Sequence, residues 1–337
     1  MATIKDIARI TGVSCTTVSN VIHGRSERVS ADTITLINDT IKELGYVPNM
    51  SARSLVSRSS KVIGLINHSI LVKEHNFMED PFHSTFIGSI EATLRDNGYY
   101  LMLRTAETPD ELLNFLRNWN VDGLFFTGIF KDDFFDTLST LSIPIVLVDS
   151  YVHHHNMCNV GLEDFNGSYI ATKYLIERGH KNIAFTAPKI RADGVLHQRL
   201  LGYKKALSEA DIPFDPSLVF EQSMDVESCL SLGRKLSSIP RITAVFSTAD
   251  IMAAGIMAGI RQAGKSIPDD ISIVGFDDID ISRITYPPLT TIHQDAKLKG
   301  KLAVDYMLDM LEHKSVKNRE ISLPIHLVER ESVKTII

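Results

Sequence analysis

The apolar positions change their period as the chain is read. Over residues 4–23 they recur three and four apart. Ile4, Ile7 and Ala8 share one face of a first short helix, and Val18, Val21 and Ile22 share one face of a second. The pattern breaks at Thr11-Gly12, where glycine permits a left-handed backbone. Ala8 is small where two helices must cross closely, and Val13 plugs the gap between them. Thr3 with Asp6 reads as a capping box, and Ser14 as the cap of the second helix. A third helix is predicted from the N-cap Ser30 through Ile34, Ile37, Ile41 and Leu44, stopping at Gly45.

From Lys61 onward, short and nearly continuous apolar runs alternate with amphipathic stretches. The runs are 62–66, 100–104, 123–128 and 143–149, with helices at 85–97 and 110–119. A second series has runs at 182–187, 218–222, 243–248 and 271–277, with helices at 167–178, 198–209, 228–237 and 251–263. A further strand from residue 290, a helix at 298–311 and an extended run at 321–329 close the chain. Apolar strands alternating with helices predict parallel sheets covered on both faces, and two such series predict two stacked α/β subdomains. Ligands of such sheets bind beyond the carboxyl ends of the strands, so the cleft between the subdomains is the expected pocket. Arg199 opens a helix there, and Asp250 lies between a strand and a helix. A charged pair so placed can hold sugar hydroxyls or a planar base, against the plainer roles of structural ion pair and N-cap. Asp149 ends a strand at the same cleft, where an ordinary turn role is the alternative.

The first segment carries its own chemistry. The joint placement of Ala8, Gly12, Val13, Val18 and Val21 is the helix-turn-helix pattern, whose second helix enters the DNA major groove. A plain helical hairpin is the alternative. The outward face favours DNA, since Cys15, Thr16, Thr17, Ser19 and Asn20 are short polar side chains suited to base edges and phosphates. Thr3 and Ser14, at the two helix starts, join the DNA-contacting set, and Arg25 and Arg28 read as phosphate contacts. Beyond Pro48, residues 50–57 form a helix too short to stand alone, which either folds on DNA or remains a linker.

Composition narrows the class. The chain has 337 residues, 44% hydrophobic and 23% charged, enough for two or three domains with a sizeable core. No apolar run is long enough to span a membrane, and no signal peptide is recognised. Together with the unpatterned Cys15, Cys158 and Cys229, this predicts a cytoplasmic protein. Net charge is −6, but residues 1–60 hold seven Lys/Arg against five acids, leaving +2 there and −8 in the remainder. A mildly basic head on an acidic body suits a DNA binder whose body stays off the phosphates.

The opening residues 1–24, the ELGYVPNMSARSL stretch and the two-series body resemble the LacI/GalR family of bacterial transcription regulators over essentially the whole chain. The resemblance implies a helix-turn-helix head (1–47), a hinge helix and linker (48–60) and a periplasmic-binding-protein-like core (61–337). The core would divide into an N-subdomain of about 61–160 plus 290–322 and a C-subdomain of about 161–289 plus 323–337. It implies a homodimer on a pseudo-palindromic operator. Cys15, Thr16, Asn20 and Arg25 would lie near the major groove, and Ala52 and Leu55 would enter the minor groove, where paired leucines kink a base step. Val56 stands where many members carry a basic residue, which leaves Arg53 and Arg58 for the phosphates. In the core the resemblance assigns effector contact to Arg199 and Asp250 and an apolar wall to Phe82 and His83. It puts Met224 near a position that is often aromatic in sugar binders. The expected effector is a sugar or sugar phosphate, with a nucleobase or nucleoside as the alternative. The stretch 67–80 is longer than usual and reads as a lid or a surface loop.

Other motifs lead elsewhere. Residues 259–266 satisfy GxxxxGK[ST], but they end a helix where a phosphate loop would begin one. His153, His154, His155 and Cys158 are too close in sequence to converge on one ion without an unusual loop. No dinucleotide or nucleophile motif is present, so neither a cofactor nor an enzymatic activity is expected. The rivals are a solute-binding protein, which shares a two-lobed body but has no use for the head, and an α/β enzyme.

Overall fold

The computed structural model describes residues 2–22, 24–46, 59–68 and 77–336. The chain divides into two compact units, residues 1–60 and 61–337.

In the first unit α1 (Ile4–Thr11) begins in a capping box. The Thr3 hydroxyl accepts from the Asp6 amide, and the Asp6 carboxylate accepts from the Thr3 N–H at 3.0 Å. Gly12 closes the helix at φ 73°, with its N–H on the Ala8 carbonyl. Helix α2 (Cys15–Ile22) starts at Ser14, whose hydroxyl accepts from the Thr17 amide at 3.1 Å. Helix α3 (Ala31–Glu43) starts at Ser30, whose hydroxyl accepts from the Thr33 amide. Ile7, Ala8, Val18, Val21 and Ile37 are buried between the three, with Ile4, Val13, Ile34 and Leu44 around them. The expected linker helix, with Ala52, Arg53 and Leu55, lies outside the described residues.

The second unit contains two six-stranded sheets. The chain runs β1 (Val62–Asn67), α4 (Pro81–Asp96), β2 (Tyr100–Thr105), α5 (Pro109–Asn118), β3 (Gly123–Thr127), α6 (Asp133–Ser139), β4 (Ile145–Val148) and β5 (Met157–Leu162). It continues as α7 (Asp164–Glu177), β6 (Ile183–Ala187), α8 (Val195–Glu209), β7 (Val219–Glu221), α9 (Val226–Ser237), β8 (Ala244–Ser247), α10 (Asp250–Gln262), β9 (Ser272–Asp277), α11 (Ile281–Ile284) and β10 (Thr290–His293). It ends with α12 (Ala296–Leu311), β11 (Glu320–Leu323) and β12 (His326–Val328).

The first sheet has the order β11-β5-β4-β3-β1-β2 and is parallel throughout. The second has the order β12-β10-β9-β8-β6-β7, parallel except where β12 joins β10. Strands covered on both faces explain the unbroken apolar runs: β3, β4, β6, β8 and β9 are buried along their whole length.

The chain passes between sheets after β5, after β10 and between β11 and β12. The expectation that the stretch of about 290–322 belongs to the first subdomain is corrected at its start. Thr290–His293 pair with β9 in the second sheet, and α12 is the first element after them to return, packing on α4. An apolar run marks a strand but not which sheet it joins.

Candidate functional site

Two surfaces carry polar groups aimed outward from a rigid frame. On the head, α2 buries Val18 and Val21, which turns Cys15 and Thr16 to solvent. Thr17, Ser19 and Asn20 are half-buried on its flanks, and Arg25 is exposed just beyond its end. Arg25 is tied back to the helix, its N–H donating to the Asn20 carbonyl at 2.8 Å. Thr3 and Ser14 sit at the amino ends of α1 and α2, where free backbone N–H groups and the helix dipole favour an anion.

In the core a cavity of about 290 Å³ lies at the carboxyl ends of the strands of both sheets. Phe82, Phe86, Ile129, Phe130, Val148 and Met224 form apolar wall, and Asp149, Arg199, Asp277 and Gln294 supply polar groups. Phe82 and His83 are placed by α4. Asp80 caps that helix through the Phe82 amide and holds His83 Nδ1 at 2.6 Å. Asp149 follows β4 at φ 50°, a left-handed conformation that turns its carboxylate onto Lys299 Nζ of α12 at 2.7 and 2.8 Å. Lys299 is fully buried, and its ammonium also donates to Gln294 Oε1 at 3.0 Å.

Arg199, on α8, is 7% exposed. It donates through Nε to Asp164 at 2.9 Å and through Nη1 to the Thr248 carbonyl at 2.6 Å, and it stacks on Phe276 at 3.6 Å. Tyr151 donates to the other Asp164 oxygen at 2.8 Å. Asp277, the last residue of β9, stands at φ 113°, a region an L-residue adopts only under constraint from its surroundings. It accepts from Gln294 Nε2 at 2.6 Å, and burial pushes its carboxyl up to about 7 against the pull of Arg199.

Phe82, His83, Asp149, Arg199 and Met224 therefore line one cavity, whereas Asp250 does not. The expectation of ligand contact at Asp250 is corrected by its burial at the start of α10. There it accepts from Thr291 Oγ1 at 2.6 Å and from the Ile279 N–H at 3.1 Å. Its carboxyl is raised well above the usual range, by burial first and then by Asp277. Its part is to brace the loop that follows Asp277. Sequence reading missed Asp277, Gln294, Lys299 and Phe130. Asp277 was legible as an acid ending an apolar strand. Lys299 was not, because a lysine in an amphipathic helix ordinarily faces water.

Two opposite loops also meet across the mouth of the cavity. The Arg191 guanidinium stacks on Phe130 at 3.7 Å and pairs with Asp132 at 3.3 Å, and the same ring packs on Gly194. Of the 67–80 stretch, Asn67 and His68 are buried and Asp80 caps α4, while residues 69–76 lie outside the described residues. Gly264 ends the α10 segment at φ 79°, and the neighbouring Lys265 pairs with Asp270, so residues 259–266 form a helix stop. Cys158 is buried within β5, while His153 bonds Glu320, so the histidine run and the cysteine do not converge.

A three-helix reader of DNA grooves joined in one chain to a two-sheet unit with a ligand-sized cavity defines a class: a DNA-binding regulator that responds to a small molecule. Residues 3–49 match the bacterial regulatory proteins of the lacI family, and residues 172–333 match a periplasmic binding protein-like domain. The HTH-type transcriptional repressor PurR of Mannheimia succiniciproducens is 36% identical over 343 residues, covering 100% of both chains. The repressor of the same name from Pasteurella multocida is 36% identical over 344 residues, covering 99% of both. Among solved structures, the lac repressor dimer bound to operator and the anti-inducer ONPF has a TM-score of 0.84 at 26% identity, with 99% of both chains covered. The CelR–cellobiose complex has a TM-score of 0.72 at 28% identity, covering 98% of this chain and 100% of that one. The chain belongs to the lacI family of bacterial regulatory proteins. No helix among the described residues is long and apolar enough to cross a membrane.

Proposed function

We propose that this regulator is a homodimeric, cytoplasmic repressor whose grip on a pseudo-palindromic operator is set by a monosaccharide-sized effector in the cavity. It acts by binding and not by turnover. The observation that carries the reading is the cavity itself, about 290 Å³, walled by aromatic rings and rimmed by polar groups from both sheets. A sugar ring has an apolar C–H face that suits Phe82 or Phe130 and hydroxyl edges that suit Asp149, Arg199 and Asp277. The solved relative with cellobiose and a lacI-family regulator of Enterococcus faecium with bound ribose, 27% identical, support the same class.

On the head, Cys15, Thr16 and Asn20 read base edges. Thr3, Ser14, Thr17, Ser19, Arg25 and Arg53 position the phosphate backbone, and Ala52 and Leu55 enter the minor groove. The coupling is a difference in effector affinity between two placements of the sheets. A nucleobase is the second reading, favoured by Asp277, whose near-neutral carboxyl can face the N–H edge of a planar ring. The test has two arms. Operator duplexes are selected from a random library with the full-length protein, and purified protein is melted against sugars and nucleobases. A selected palindrome that is released or tightened by a compound that also raises the melting temperature supports the proposal. No preference over random duplex at physiological salt would end it.

A further inference from the structure

Beneath the cavity lies a chain of buried polar groups that ties the first sheet to the second through the crossover after β10. Asp149 follows β4 of the first sheet, Lys299 belongs to α12, Gln294 is the first residue after β10, and Asp277 ends β9 of the second sheet. Every link is a hydrogen bond: Lys299 to both oxygens of Asp149, Lys299 to Gln294 Oε1, and Gln294 Nε2 to Asp277. The lysine sets the orientation of the whole chain. An ammonium has three donors, and all three contacts are made here. With Oε1 held by Lys299, the Gln294 amide can present only its nitrogen to Asp277, which settles an orientation that an amide's shape alone leaves open.

The charges do not cancel. Lys299 offsets Asp149, and Arg199 offsets Asp164, to which it is bonded. Asp277 makes no ion pair of its own among the described residues, and burial lets it and Asp250 behind it hold a proton more readily than a free aspartate, so both stand as carboxyl groups with unused acceptor positions. This end of the cavity therefore keeps spare carboxylate lone pairs. Its buried ammonium is fully engaged, and its guanidinium is matched by Asp164, bonded to Thr248 and stacked on Phe276. An anion brought to this inner end would meet the carboxyl oxygens of Asp149 and Asp277, while the buried Lys299 ammonium is already fully engaged and the lysine that lines the cavity, Lys189, is exposed. A hydroxyl or N–H donor would complete what the carboxylates lack.

We propose that Lys299 is a specificity-determining residue. By holding Asp149 and Gln294 it makes this end of the cavity a hydrogen-bond acceptor surface, which takes the hydroxyl or N–H edge of an uncharged ring and excludes phosphate esters and carboxylates. The proposal rests on the cavity being the effector site and narrows the effector to the unphosphorylated class.

The experiment uses the full-length protein and three matched pairs: ribose and ribose 5-phosphate, glucose and glucose 6-phosphate, adenosine and adenosine monophosphate. Affinities come from calorimetry for any compound that shifts the melting temperature. The uncharged member of a pair should bind at least tenfold more tightly than its phosphate ester. Lys299→Met alone leaves Asp149 unpaired and can fail to fold, so the double variant Lys299→Met with Asp149→Asn is measured beside it. In that variant affinity for the uncharged member should fall at least tenfold. In Asp277→Asn the ratio of uncharged to phosphorylated affinity should narrow, a change that loss of stability alone would not produce. Tighter binding of the phosphate ester, or unchanged affinity in the double variant, overturns the proposal and leaves the cavity as the effector site. If no member of any pair binds, the proposal falls together with the sugar and nucleobase readings.

Discussion

Single residues in the core are set by burial before they are set by chemistry, and Asp277 shows the consequence most directly. Its folded carboxyl titrates near 7 because burial disfavours the charged form, whereas an unfolded aspartate titrates near 3.8. The folded state thus holds a proton that the unfolded state has lost. The stability that this proton represents is fully present below about pH 4 and is lost as pH rises through about 7. Asp164 and Asp250 are raised in the same direction, burial being the first cause in each. Urea unfolding at pH 5 and pH 8 should show the core less stable at the higher pH, and Asp277→Asn should flatten that slope. An unchanged slope in the variant would mean that the carboxyl is not the titrating group. The residue scale is also where reading from sequence stops. Arg199 was legible from its residue type and its place at a helix start beside the cleft, whereas Phe82 was assigned only through the family resemblance. Asp250 misled by its place after a strand, since strand ends also supply helix starts. Only packing distinguishes the acid that faces the cavity from the acid that braces the loop behind it.

At the scale of elements, local signals and tertiary contacts carry separate information. The caps of α1, α2 and α3 and the left-handed glycines at 12 and 45 were all legible, because each rests on a bond or a backbone angle within a few residues. In a unit whose buried apolar core is as small as this one, each cap is a sizeable share of stability. Thr3→Ala should cost the head about 1 kcal/mol, read as faster amide hydrogen exchange along α1 in the full-length protein. Protection equal to that of the parent protein would show that the cap contributes nothing.

The sheet order was not legible, since no strand's sequence records which neighbour it pairs with. The same holds for the close approach of α7 and α8. A Cβ at Gly202 would land on the Phe165 carbonyl oxygen and press on the Tyr169 nitrogen. Both are backbone atoms of α7 and cannot rotate away. Gly202→Ala should therefore lower core stability by about 1–3 kcal/mol, although alanine is the better helix former. A melting temperature at or above that of the parent protein would show that the two helices can separate without loss.

At the scale of the core as a whole, the two sheets are joined by three crossovers and by side-chain contacts between loops on opposite sides of the cavity. The crossovers constrain how the sheets can move, and Phe130, Arg191 and Asp132 add a direct contact across the cavity. A guanidinium lying flat on an aromatic ring and paired with a carboxylate joins a loop after β3 to a loop after β6. Neither loop announces this in sequence, because the partners are some sixty residues apart and belong to different sheets. If this contact governs access, its removal should expose the cavity without unfolding the sheets. Val148 lines the cavity and is 2% exposed, so a cysteine in its place reports on opening. Cys158 and Cys229 are buried and exposed Cys15 can be replaced by serine, which leaves Val148→Cys as the reactive thiol. In that background Arg191→Ala should raise the alkylation rate about tenfold, corresponding to roughly 1.4 kcal/mol in the closing equilibrium. Arg191→Lys keeps the charge on Asp132 but loses the planar stack, and should fall between the two. Equal rates in all three proteins, with unchanged melting temperatures, would show that the mouth is opened elsewhere and that the stacked pair only decorates it.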